Sequence, residues 1–309
     1  MKNIFRLFKI TVIMAALGFT ISGCLTASSS DPLPNVSLDE LVKTNSSASE
    51  NAKPPAGIVV EGAGLAEKLA WLDKNAEKDN TYVIILDKDE NIPPYTFGGK
   101  DRTIILWGRG EPRNIGLTKT GHLFTIARAG IKLVLDRNII LRGRDDNSRQ
   151  VIELTKGTVE MNEGSAITGN CGGAVYINKD GRFVMNGGAI AGNVISGMSG
   201  SVQVAGTFIM MGGSIFKNAG HGVGLYKGAL SMSGGSIYDN SRYGVSIYRD
   251  SSKSKYGIVG LLSDVASSIG DKTGFSMEKP ATRASIHGNK SGQVNAPFIE
   301  DGVIQKEGY

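Results

Sequence analysis

Cysteine is nearly absent, with only Cys24 and Cys171 in 309 residues. That scarcity speaks against a disulfide framework, and Cys171 reads as an ordinary small apolar thiol. Basic runs are missing as well. The formal charge of +5 falls to +2 once Lys2, Arg6 and Lys9 at the start of the chain are set aside, too little to make nucleic acid the main partner. No apolar stretch reaches the ~20 residues that span a bilayer comfortably. The 42 glycines, about twice the usual ~7% share, lack the every-third spacing of collagen, so they point to many tight turns.

Residues 1–23 have the layout of a signal peptide: a basic start, an apolar stretch from Ile10 to Ile21, then Ser22 and Gly23. The next residue makes the sequence Ile21-Ser22-Gly23-Cys24, which resembles a bacterial lipobox. The resemblance implies cleavage before Cys24, acylation of its thiol, and attachment to the lipid bilayer of a cell envelope. Several acyl chains give durable anchoring, at about 0.8 kcal/mol per buried methylene. Residues 24–58, rich in Ser, Asn and Pro, should then form a flexible tether. Within them Ser37 and Glu40 have capping-box spacing, and Leu38, Leu41 and Val42 share one helical face. A two-turn helix of this kind forms only if it docks on something.

The strongest signal is internal repetition. GTVEMNEGSAITGN begins at Gly157, GRFVMNGGAIAGN at Gly181, GTFIMMGGSIFKN at Gly206 and GALSMSGGSIYDN at Gly228, so the starts lie 24, 25 and 22 residues apart. Met161, Met185, Met210 and Met232 recur in one place, and Ile167, Ile190, Ile215 and Ile237 in another. Each copy ends on an asparagine, Asn170, Asn193, Asn218 or Asn240, and a degenerate fifth ends at Asn289. A further alternating strand carries Val175/Ile177, Val202/Val204, Val223/Leu225 and Val245/Ile247.

Three short strands per period, separated by turns, predict an all-β, right-handed parallel β-helix, a pectin-lyase-like solenoid of roughly eight coils spaced ~4.8 Å apart. Like residues then stack on like, and the asparagines, a residue type that also tolerates the left-handed turn conformation, can form a hydrogen-bonded ladder. Leucine-rich repeats need Leu-x-x-Leu-x-Leu, which is missing, and propellers need periods of about 40 or more. Residues 59–80 should hold a capping helix with Leu65, Leu69 and Leu72 on one face, and 81–309 the solenoid. An insertion at about 250–284, with Ile258, Leu261, Leu262, Val265 and Ile269 at near-helical spacing, reads as a lateral loop with a short helix or a second cap.

The motifs Gly-Gly-Ala-Val-Tyr-Ile at 172–177 and Met-x-Gly-Gly-x-Ile-x-x-Asn, with LAEKLAWL at 65–72 and LVLDRNIILRG at 133–143, resemble those of repeat-bearing treponemal-type spirochaete lipoproteins. More loosely, they are similar to polymorphic outer-membrane proteins. The resemblance covers roughly residues 60–250 and implies an outer-membrane envelope protein with an adhesin-like role.

A β-helix also raises polysaccharide lyase or glycoside hydrolase chemistry, which needs clustered carboxylates. The repeat register gives none: Glu160 aligns with Val184, Ile209 and Ser231, and Asp180 lies three coils from Asp250. Asp239 aligns beside Lys217 as a surface pair. The turn Asp87-Lys88-Asp89-Glu90 could hold calcium but suits a solvated turn better, and His122, His221 and His287 are isolated. Gly108-Arg109-Gly110-Glu111 lacks the third glycine of a dinucleotide loop. No catalytic residue, metal or cofactor is therefore assigned. What remains is the outer wall, where Tyr226 should stack with Tyr248 and Phe216 with Tyr238, as platforms for a glycan or protein ligand. A non-catalytic interaction scaffold is the leading expectation; a lyase or hydrolase and an envelope spacer are the alternatives.

Overall fold

A computed structural model describes residues 36–43, 53–195, 199–248, 258–261, 284–287 and 294–295. Alternating apolar residues, interrupted by glycine-rich turns, make a parallel β-helix whose cross-section has three faces. The first face is built from Thr81–Leu86, Arg102–Gly108, Ile131–Leu135, residues 158–161, residues 182–185, Thr207–Met210, Ala229–Met232 and Ile258–Leu261. The second is an eight-stranded sheet running from Glu90–Ile92 to Ala284–His287. The third begins at Tyr95–Phe97 and passes through residues 152–154 and 175–177, Gly200–Val204, His221–Leu225 and Val245–Ile247 to Val294–Asn295. Eight rungs make about seven turns, right-handed as parallel crossovers are.

Register turns the repeat into a core. Met161 pairs with Met185, Met185 with Met210, and Met210 with Met232. Val159, Phe183, Phe208 and Leu230 form the neighbouring column. On the second face Ile167, Ile190, Ile215 and Ile237 lie in line, and on the third Val175, Val202, Val223 and Val245. All of these are buried in one continuous cluster, each side chain contributing about 1.5–3 kcal/mol.

The glycine that opens each repeat is there for want of room. A Cβ on Gly206 would sit 2.1 Å from the Asn178 carbonyl oxygen and 2.5 Å from that of Gly181, closer than any real contact. In the pairs that follow, the second glycine, such as Gly213 with φ +79°, takes the left-handed conformation, while the first only crowds the rung below.

The asparagine ladder exists, with two corrections. Asn193 Nδ2 donates to Asn218 Oδ1 at 3.1 Å and Asn218 Nδ2 to Asn240 Oδ1 at 2.9 Å. Between Asn170 and Asn193 the link is instead the backbone N–H of Asn170 donating to Asn193 Oδ1 at 3.3 Å. Asn147, absent from the expected set, adds a rung by donating to Asn170 Oδ1 at 2.9 Å. The left-handed residue is not the asparagine either. It is the residue before it: Gly169, Gly192, Lys217 or Asp239, with φ of +67°, +66°, +48° and +52°. That turn leaves each asparagine free to aim its amide along the axis. Asn289 lies outside the described residues.

At the N-terminal end, helix α2 (Leu65–Asn75) buries Leu65, Leu69 and Leu72 on the first coil. Tyr95 ties the helix down by donating its hydroxyl to Asp73 Oδ1 at 2.8 Å. Before α2, Ile58–Val59 adds one further parallel strand beside Thr81–Leu86. At the other end, where the spacing suggested a short helix or cap, Ile258 and Leu261 lie instead in a strand, and Leu262, Val265 and Ile269 lie outside the described residues. Residues 258–261 form a strand continuing the first face, with Leu261 in register with Met232. An open sheet edge satisfies its hydrogen bonds by adding a strand, and Ile-Val-x-Leu fits that edge as well as it fits a helix turn.

Candidate functional site

The second face departs from simple alternation on its outer side. Ala166, Ala189 and Ala191 point outward yet are buried, together with Ile140. They floor a shallow groove, bordered by Phe216 and Tyr238, whose rings stack at 5.1 Å and 3°. The groove is occupied. Helix α1 (Leu38–Lys43) rests over Ala189–Ala191, with Leu41 only 2% exposed in the groove and Val36 packed beside it.

The local sequence explains why so short a helix forms there. Glu40 N–H donates to Ser37 Oγ at 3.2 Å, and Ser37 N–H donates to Glu40 Oε2 at 3.1 Å, a complete capping box. Val36 and Leu41, on either side of the box, both face the wall. Leu38, expected on that apolar face, is 48% exposed. The other oxygen of Glu40, Oε1, pairs with Lys217 Nζ. This hydrogen bond, and next the one from the Ser37 backbone, hold the Glu40 carboxyl below its ordinary range. Lys217 thus pairs with α1 and not, as the register suggested, with Asp239. Phe216, expected as an exposed platform, is 3% exposed under this cover.

The second aromatic group lies on the third face. Tyr226 and Tyr248 stack at 4.4 Å and 3°, lying back over Gly224, where a Cβ would come 3.3 Å and 3.2 Å from their rings. His221 stacks on Tyr243 at 5.5 Å and meets Tyr248 edge-on at 6.3 Å. Both tyrosines of the column are partly buried. His221 is buried, and its Nδ1 accepts the Tyr243 N–H at 3.1 Å, which requires a neutral ring. Burial first, and then the charge of Arg242, push its pKa down to about 4. Sequence reasoning placed the two stacked tyrosines but missed His221 and Tyr243, whose signal was their own 22-residue spacing, one period of the repeat.

The carboxylates are dispersed. Glu160 pairs with Lys132 and accepts from Asn186 Nδ2 at 3.1 Å. Asp87 pairs with Arg109 at 2.8 Å, while Asp89 accepts both the backbone and side-chain N–H groups of Asn114 at 2.9 Å. His122 Nε2 lies 3.5 Å from Glu153. Among the described residues no three His, Cys, Asp or Glu side chains come together as a metal set. Among them, too, no helix is long and apolar enough to cross a membrane.

Cys24 and Asp250 lie outside the described residues. Cys171 does not keep the role of an ordinary thiol: it is disulfide-bonded.

The chain is thus, by architecture, a parallel β-helix with a covered groove on one face and an aromatic patch on another. Compared with known protein families, curated proteins and solved structures, it matches none.

Proposed function

We propose that this chain is an envelope lipoprotein, anchored through acylated Cys24, whose solenoid is a non-catalytic interaction scaffold of adhesin-like type. The stacked Tyr226–Tyr248 column carries the reading. Its partly exposed rings are stacked one period apart on a glycine floor, a surface suited to stacking against sugar rings or an apolar partner side chain. The lipobox-like Ile21-Ser22-Gly23-Cys24 supplies the anchor, and the resemblance to treponemal-type lipoproteins agrees with an outer-membrane location.

Radioactive palmitate should label the chain in bacteria, and the label should depend on Cys24. Label persisting in Cys24→Ser would overturn the anchor.

For the binding wall, residues 57–309 on a glycan array should give signals that Tyr226→Ala and Tyr248→Ala each reduce about tenfold. Losses of that size match the 1–3 kcal/mol that a stacking aromatic contributes elsewhere. Signals unchanged in both variants would remove the column from the proposal.

A further inference from the structure

Helix α1 lies far along the solenoid from where its own chain joins it. The strand Ile58–Val59 is one rung before Thr81–Leu86, and Ala189–Ala191 belongs to the fifth rung from it. Five rungs at ~4.8 Å put α1 about 24 Å up the side wall. The fourteen residues 44–57 reach at most roughly 50 Å at ~3.3–3.6 Å each, so the connection within one chain is open to them.

We propose that α1 is a releasable clasp, and that the alanine-floored groove is its dedicated docking site in the same chain. Three observations carry this. The groove is apolar where the outside of a β-strand is ordinarily polar, and the residues facing α1 are small, which lets a helix approach closely. The helix brings a matching set: Leu41 and Val36 for the groove, and Glu40 for Lys217. Lys217 also sits at φ +48° in a position that glycine fills in two earlier rungs, as Gly169 and Gly192. A lysine rarely adopts that conformation, whereas an aspartate such as Asp239 adopts it more readily. The backbone strain at residue 217 is thus kept where it puts a positive charge against α1.

Release is built in by size: α1 is six residues long, and a helix that short has no stability alone.

The clasp has a consequence that rests on the anchor reading above. With α1 docked, only the eleven residues 25–35 separate a membrane anchor from the wall, roughly 40 Å at full stretch; released, the arm to Ile58 could extend to roughly 115 Å. Docked, the solenoid lies with its second face toward the bilayer; released, it stands off.

Hydrogen exchange of the soluble chain beginning at residue 25 tests the clasp without any lipid. Because an isolated helix of this length is unprotected, any protection of peptide 36–43 reports docking. Wild type should exchange there roughly tenfold more slowly than Leu41→Asp. Lys217→Glu and Glu40→Lys should each lose most of that protection, and the double variant Glu40→Lys/Lys217→Glu should regain it. Lys217→Gly should release α1 while leaving exchange of the solenoid strands as slow as before. Equal exchange in wild type and Leu41→Asp would refute the clasp, as would a double variant no better than its parents. Protection that rises with protein concentration would assign the groove to a second copy and overturn docking within one chain. Failure of palmitate labelling, by contrast, would remove only the membrane geometry.

Discussion

Replacing Asn218 by leucine should destabilise the solenoid by roughly 3 kcal/mol or more in chemical denaturation. Asn218 is buried, with Oδ1 accepting from the Asn193 backbone at 3.1 Å, the Asn193 amide at 3.1 Å and Ser201 Oγ at 3.2 Å. Its own amide donates to the carbonyls of Ile190 and Phe216, each at 3.1 Å, and to Asn240. Leucine keeps the branched outline but is larger, so some overpacking strain adds to a mainly electrostatic cost. The Asn193 N–H and the Ser201 hydroxyl lose their acceptor in a buried site, at about 1–3 kcal/mol each. A change at exposed Arg182, such as Arg182→Leu, should stay within about 0.5 kcal/mol. Equal midpoints for the two variants would mean that the ladder contributes nothing to stability.

Phe208→Ala should cost about 3–5 kcal/mol, the range for emptying a buried aromatic site. Phe208 is fully buried and packs on Phe183 with ring centroids 5.2 Å apart, between Phe183 and Leu230 in the same column. A rung cannot sink into the gap, because its height is fixed by backbone hydrogen bonds to the rungs on both sides. The cavity therefore stays open, and the loss should fall at the upper end of that range. Met210→Leu, in the adjacent column, keeps most of the volume and should cost under about 1.5 kcal/mol. Denaturation midpoints that rank the two in reverse would show that the interior repacks freely.

The inside of this molecule was legible because stacking makes chemistry repeat. Met161 to Met232 and Ile167 to Ile237 are the same residue at the same place in successive coils, and each is found directly over the last. Asn170 to Asn240 were legible as a ladder for the same reason, but the residue that takes the left-handed turn, one position earlier, was not singled out. The signal was available in Gly169 and Gly192, directly ahead of their asparagines. The strand 258–261 was hidden because residues three and four apart suit a helix face equally well when the run is only four long.

The outside was less legible. Ala-Ile-Ala at 189–191 shows no polar residue on its outer side, which is itself a sign that something covers that strand. Naming the cover as Val36 and Leu41 required the geometry, because nothing in the repeat fixes which rung an N-terminal arm reaches. Tyr226 over Tyr248 could be foreseen from the register. Phe216 over Tyr238 could be foreseen as a stack, but not as a buried one.

The place where α1 meets the wall also decides how this molecule would bear a load. A solenoid pulled from its first strand unzips coil by coil, because each coil holds only to its neighbours. Tension applied to the chain ahead of Val36 arrives instead at Leu41 and at the Glu40–Lys217 pair, on the flank of the fifth coil. There it acts sideways across many parallel strands at once. The weak contact gives way first, and the slack it frees absorbs the pull before any hydrogen bond of the first coil is strained.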